Sequence, residues 1–224
     1  GSDFLQSGAL REFGVLFNYD FHIQGVVPNM EAVSSLGIRF YAMEVSTMMF
    51  LGMITNLILA RFGRFPYIFL THGHFDHIGA VDEVREKYDI KVYAAAAEKE
   101  TLQNTDINLS SQFGAGFKVE ADEYLNDGQE IELLGEKVRC ILTPGHTKGG
   151  MCYYFTNSGM LFSGDTLFQQ SVGRTDFPGG SMSEIVRSIR EKLFTLPDYV
   201  RVYTGHGMMT TIKDEKMLNP FAVE

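Results

Sequence analysis

From residue 66 onward, apolar and polar positions follow two rhythms in turn. Tyr67-Ile68-Phe69-Leu70 is a short apolar run between Pro66 and Thr71, the pattern of a buried strand. Apolar residues then recur at Ile78, Val81, Val84 and Tyr88, with Asp82, Glu83, Arg85, Glu86 and Lys87 between them, which predicts an amphipathic helix over 78–88. Residues 91–93 return to strand, and 94–102 are expected to form a second helix. Residues 131–134 and 138–142 flank Gly135-Glu136 as a hairpin, and 151–155 and 160–163 flank Thr156-Asn157-Ser158-Gly159 as another. Ser181-Met182-Ser183-Glu184 is a capping box that opens a helix through 194, stopped before Pro197, and 201–203 is one more strand. Strands that come both in hairpins and in alternation with helices predict mixed sheets with helices packed outside them.

Before residue 66 the character is different. The first 65 residues carry 9 charged side chains, the following 159 carry 38, and the first lysine is Lys87. No linker marks the change; either the first part is the more buried, or it has a different history. Residues 45–60 are 16 uncharged positions between Glu44 and Arg61, short of the roughly 20 needed to cross a bilayer, and are read as a buried helix. Gly1-Ser2 reads as the remnant of a tag cleavage, and the first 30 residues lack a basic start running into an apolar stretch, so no secretory leader is expected.

The 224 residues, 45% of them apolar, suit one globular domain spanning 1–224. Two cysteines exclude a disulfide scaffold, and 28 acids against 19 bases argue against nucleic acid as a partner. Cys140 and Cys152 fall in neighbouring predicted strands and are read as free, buried thiols of a reducing cytoplasm rather than a disulfide.

Candidate chemistry begins with Thr71-His72-Gly73-His74-Phe75-Asp76-His77, three imidazoles and a carboxylate in a loop between a buried strand and a helix. Such a loop can aim side chains at one point while its flanks hold it still. Neutral imidazole and carboxylate are ligands that zinc, iron and manganese accept. His146, Asp165 and His206 each follow a glycine at the end of a strand-like run. Together these are five histidines and two aspartates, about what two metal ions need with water or hydroxide in the remaining positions. The sixth histidine, His22, lies outside every motif and is expected to be solvated or packed.

The order His72-x-His74-x-Asp76-His77, then His146, Asp165 and His206, resembles the metallo-β-lactamase superfamily. The words THGHFDHIGAVDE, TPGHTKGG, FSGDTLF, VGRTDFPGGS and the closing GHG are similar to small bacterial hydrolases of its glyoxalase II (hydroxyacylglutathione hydrolase) branch, over residues 65–221. The resemblance implies an α/β fold, an αββα sandwich of two mixed sheets with outer helices. It implies one metal on His72, His74 and His146, a second on Asp76, His77 and His206, and Asp165 bridging them, with zinc expected and iron or manganese as alternatives. It also implies hydrolysis of a thioester or related acyl bond of a small molecule by a hydroxide shared between the cations. Asp76 would orient that water or accept its proton. Arg174 stands where the branch has a cation that helps hold glutathione; the alternative is a loop-bracing surface arginine. Glutathione-binding members carry an aromatic two positions later, where this chain has Asp176. Ser163, beside Asp165, is read as structural.

The superfamily pattern also calls for a two-strand opening with an Asn-Cys-Tyr-like stretch and an Asp-Pro-Gly turn, and residues 4–64 do not align to it. Replacement of this atypical segment, by recombination, frame change or engineering, and natural divergence both stay open. An apolar segment of this kind could join two copies of the chain. Within the same fold, lactone hydrolysis, phosphodiester hydrolysis and persulfide oxidation at a single iron are the alternative chemistries. A metal-binding scaffold with little hydrolase activity is an alternative of another class.

Overall fold

The computed structural model describes residues 15–17, 67–88, 90–114, 116–133 and 135–222. Strands β1 (Val15–Phe17), β2 (Tyr67–Phe69), β3 (Lys91–Ala95) and β4 (Glu123–Leu125) form one sheet in the order β1-β2-β3-β4. The second sheet uses β5 (Glu130–Leu133), β6 (Glu136–Leu142), β7 (Met151–Phe155) and β8 (Met160–Gly164). A small hairpin of β9 (Leu167–Phe168) and β10 (Ser171–Val172) stands apart, and β11 (Arg201–Thr204) and β12 (Thr210–Thr211) complete the second sheet in the order β12-β11-β8-β7-β6-β5. The helices are α1 (Phe75–Ile78), α2 (Val81–Tyr88), α3 (Lys99–Gln103), α4 (Met182–Ser188) and α5 (Ile212–Leu218). The expectations for residues 45–60 and for His22 lie outside the described residues.

Strand alternation sorts side chains into layers. Along β7, Met151, Tyr153 and Phe155 face a core shared with Phe69 and Ala95 of the first sheet, whereas Cys152 and Tyr154 face a second core with Ile185, Ile189 and Ile212. On the far side of the first sheet, Ile68, Val92 and Ala94 pack against Ile78, Val81, Val84 and Leu102. The result is helix, sheet, sheet, helix, as the resemblance implies. The second sheet is mixed: β8 and β11 are parallel, and β5 to β8 are antiparallel neighbours. The described strands of the first sheet are parallel throughout. Between β2 and β3 the chain returns through α1 and α2, the crossover that a parallel pair requires.

Local differences from the sequence reading have physical causes. The helix expected over 78–88 starts earlier and breaks at Gly79-Ala80, giving α1 and α2, because the first histidine loop winds directly into a helical turn. The helix expected over 94–102 begins only after a 3₁₀ turn, Ala96–Glu98. Ala94 and Ala95 belong to β3, where pairing with Tyr124 and Leu125 outweighs alanine's helix propensity. Only the N-cap half of the predicted capping box forms: the Glu184 amide donates to Ser181 Oγ, whereas the Ser181 amide donates to Gly145 O, and α4 continues into a π-helical stretch, Ile189–Leu193.

Cys140 and Cys152 sit on paired strands but on opposite faces, since Cys140 is opposite Tyr153 and Cys152 opposite Ile141. Both are free and buried, and burial pushes their thiols up to about 12 and about 11 respectively. Thiolate is the reactive form, so the native chain at pH 8 is expected to resist a thiol reagent and to expose two reactive groups only in denaturant. Rapid stoichiometric labelling of the native chain would contradict this packing.

Candidate metal centre

Four strand ends converge on one place. His72 and His74 lie in the loop that leaves β2, Asp76 and His77 lie in α1, His146 follows β6, Asp165 follows β8 and His206 follows β11. The strands β6, β8 and β11 run in one direction, so their C-terminal ends share an edge of the second sheet. Tertiary contacts pin the first loop: Tyr153 donates its hydroxyl to Leu70 O at 2.8 Å, Met151 N donates to Thr71 O at 2.8 Å, and Phe75 N donates to Asn108 O at 2.9 Å.

Close backbone approach requires glycine at two of these ends. Gly164 has φ +50°, and a Cβ there would meet Thr71. A Cβ on Gly205 would collide with Asp165 Oδ1. The glycines that precede Asp165 and His206 therefore let these strand ends close on one another.

The side chains form three overlapping groups of potential metal-binding atoms: His72 with His74 and His146, Asp76 with His77 and His206, and His72 with His77 and Asp165, which links the other two. His74 Nδ1 lies 2.9 Å from His146 Nε2. In the second group, His77 Nε2 is 3.2 Å from His206 Nε2, and Asp76 Oδ2 is 3.4 Å from His206 Nε2 and 3.7 Å from His77 Nε2. Four ligands about 2.0–2.1 Å from a tetrahedral metal stand about 3.3 Å apart, so the observed separations suit a shared cation. Asp165 spans the groups: its Oδ1 is 3.4 Å from His77 Nε2, and its Oδ2 is 3.4 Å from His206 Nε2 and 3.6 Å from His146 Nε2.

Protonation states agree with that chemistry. Burial, reinforced by the neighbouring His77, holds the His72 imidazole well below its ordinary range. Burial and His146 bring His74 down to about 3. Burial works to raise Asp76 and Asp165, but His77 and His206 outweigh it and keep both carboxyls below the usual range. The site at neutral pH thus offers unprotonated His72 and His74 beside two carboxylates. His72 Nε2 and Asp165 Oδ1 are buried without a hydrogen-bond partner among the described residues, an arrangement that a cation could satisfy. His146 is oriented from behind, with Nδ1 donating to Arg174 O at 2.7 Å and Nε2 facing the cluster.

The rim combines aromatic rings with one exposed ion pair. Phe177 stands edge-on to His74, with centroids 5.5 Å apart, and Phe168 lies 6.2 Å from His206. The Arg174 guanidinium lies over the Phe177 ring at 3.8 Å and makes two hydrogen bonds to Asp176, of 2.7 and 2.6 Å. Ser163 Oγ donates to Leu167 O at 2.8 Å, consistent with a structural part. Sequence reasoning missed Glu98, a buried carboxylate behind the two histidine loops. Burial raises its carboxyl, while donors from Gly73, Thr147 and Gly149 oppose the shift. In the sequence its Ala-Glu-Lys-Glu setting looks like a wet helix and carries no signal of this position.

Comparison with known proteins agrees with the geometry. The family model described as the metallo-beta-lactamase superfamily matches residues 64–206. A model described as a PTS system sugar-specific permease component matches residues 1–81, less than half of the chain. No described helix is long and apolar enough to cross a membrane. A probable metallo-hydrolase of Bacillus subtilis is 43% identical over 157 residues, covering 69% of this chain and 74% of the relative. A hydroxyacylglutathione hydrolase of Haemophilus influenzae is 34% identical over 158 residues, with coverage of 69% and 74%. Among solved structures, the B3 metallo-beta-lactamase BLEG-1 aligns with a TM-score of 0.72 at 39% identity, covering 76% of this chain and 84% of that one. The family match begins where the charge pattern of the sequence changes.

Substituting Gly205→Ala tests the close approach of the strand ends. The added methyl group is expected to displace Asp165 and to destabilise the fold by about 1–3 kcal/mol, the range for overpacking. A lowered urea midpoint with an unchanged slope would register it, and an unchanged midpoint would contradict the packing.

Proposed function

Since the chain belongs to the metallo-beta-lactamase superfamily, we propose that it is a metallohydrolase that cleaves a thioester or related acyl bond of a small molecule, with two divalent ions at its site. The observation that carries this reading is the convergence of two donor groups at metal-ligand spacing with one carboxylate, Asp165, between them. His72, His74 and His146 would hold one ion, and Asp76, His77 and His206 the other, with Asp165 shared. Zinc is the expected metal; iron and manganese suit the same donor set. Bound ions of this kind lower the pKa of a water toward about 7 and polarise a carbonyl oxygen.

The chain's own residues do the rest. Asp76, ionised because His77 and His206 offset its burial, orients the attacking water and draws on its proton. His146, fixed by the Arg174 carbonyl, keeps its Nε2 turned to the cluster. Phe177 and Phe168 shield the approach from bulk water and give the acyl group an apolar seat. The relative named hydroxyacylglutathione hydrolase supports the thioester as the bond cleaved. Likeness to a B3 metallo-beta-lactamase favours lactam hydrolysis as the second reading.

Arg174 is proposed to bind an anionic part of the substrate, in competition with Asp176. Both side chains are exposed, so a substrate carboxylate would compete with Asp176 for the same two guanidinium donors.

Purified chain supplied with zinc, iron or manganese is expected to hold about two ions and to turn over S-lactoylglutathione. Asp165→Ala should lower metal content and abolish hydrolysis, and unchanged activity would refute the site. One iron per chain with oxygen consumption on a persulfide would move the chain to dioxygenase chemistry. Full metal content with no ester, thioester or lactam hydrolysis would favour a scaffold. Asp176→Ala is expected to lower KM for the glutathione thioester about two- to five-fold and to leave a neutral thioester unchanged. Equal effects on both substrates would remove Arg174 from substrate binding.

A further inference from the structure

Glu98 closes the 3₁₀ turn Ala96–Glu98 that follows β3, and it is 1% exposed. Its carboxylate faces donors from two separate loops. Oε1 accepts from Gly73 N at 2.9 Å, and Oε2 accepts from Gly149 N at 2.8 Å and from Thr147 Oγ1 at 3.0 Å. Gly73 lies between His72 and His74, and Thr147 is next to His146. One carboxylate therefore holds the backbone on both sides of the first donor group. The two glycines allow this closeness: a Cβ on Gly149 would run into the backbone at Ala97 and Glu98, and one on Gly73 would crowd Leu102 and Thr101.

A buried carboxylate is costly unless its oxygens are filled, and the Gly73, Gly149, Thr147 and Thr101 groups facing this one all donate to it. A glutamine in its place has a single acceptor oxygen. Its amide group would face either the Gly73 N–H or the Gly149 N–H, donor against donor.

We infer that Glu98 is a positioning residue: by tying the Gly73 amide to Thr147 and Gly149, it sets the separation of the two loops that carry His72, His74 and His146. It touches neither metal nor substrate. This inference rests on the proposed function only in taking that trio to hold a metal. Its consequence is local, because the group of Asp76, His77 and His206 receives no bond from Glu98.

The test is metal binding by the full chain, read without turnover. Cobalt or zinc is titrated in competition with a chromophoric chelator, and His74→Ala and His206→Ala assign each binding step to its trio. Glu98→Gln is expected to weaken the first trio about 10- to 100-fold, the usual effect of a lost bond behind a metal ligand, and to leave the second within about three-fold. Thr147→Val, which removes one of the bonds that tie the two loops, is expected to fall between Glu98→Gln and the parent chain, and Thr147→Ser to restore the parent affinity. Circular dichroism and urea midpoints of the metal-free chains follow folding separately.

Parent-like affinity in a folded Glu98→Gln chain would overturn the inference, as would equal weakening of both trios. If Glu98→Gln does not fold, equal affinities in Thr147→Val and Thr147→Ser would overturn it. A parent chain that binds no metal at the first trio would refute the proposed function and Glu98's role with it; a parent chain that binds two ions, with Glu98→Gln unaffected, refutes Glu98's role alone.

Discussion

Imidazole nitrogens and carboxylate oxygens in the cluster stand 2.9–3.7 Å apart, although the residues bearing them come from two different sheets. That spacing can be held only if both sheets are fixed relative to each other to within a fraction of an ångström. The shared core does this. Phe69 of the first sheet packs on Tyr153 of the second with centroids 5.2 Å apart, and the Tyr153 hydroxyl reaches across to Leu70 O. The same contact that buries an aromatic pair thus anchors the strand end from which the first histidines leave.

Around the cluster, the supports are of three kinds. Backbone groups hold loops, as Met151 N does for Thr71 O. A carbonyl, Arg174 O, sets the direction and tautomer of His146. A buried carboxylate, Glu98, fastens two loops together. Each lies one step behind the donor atoms, and the Glu98 tie depends on glycine at 149, where the chain passes the backbone of Ala97 and Glu98 closely. Burial and the neighbouring imidazoles keep His72 and His74 unprotonated, and the histidines around Asp165 keep its carboxyl well below the usual range.

Much of this was legible along the chain, and the parts that were not share a cause. The strand at 67–70, both hairpins and the Ser181 cap follow from local pattern, and so do the seven candidate ligands, whose spacing is unusual enough to stand out. The 94–102 segment did not, because alanines say little alone and pairing with Tyr124 and Leu125 decided them. Glu98 did not, because a glutamate among charged neighbours looks solvated until the loops that cover it are in place. Arg174 was legible as a cation near the site, but not its pairing with Asp176 or its place over Phe177.

By itself the sequence determined the chemical identity of the cluster and its order along the chain, because imidazole, carboxylate and glycine at those positions limit what can be bound. It also determined the strand at 67–70, both hairpins and the helix that opens at Ser181, where local pattern is strong. Tertiary structure brought seven side chains separated by as many as 134 positions into overlapping groups of three, since their meeting depends on which strand ends share an edge. It also decided that Asp165 stands between the groups and that Glu98 lies behind one of them. Distances between residues far apart in sequence are set by packing, and packing is a property of the whole core.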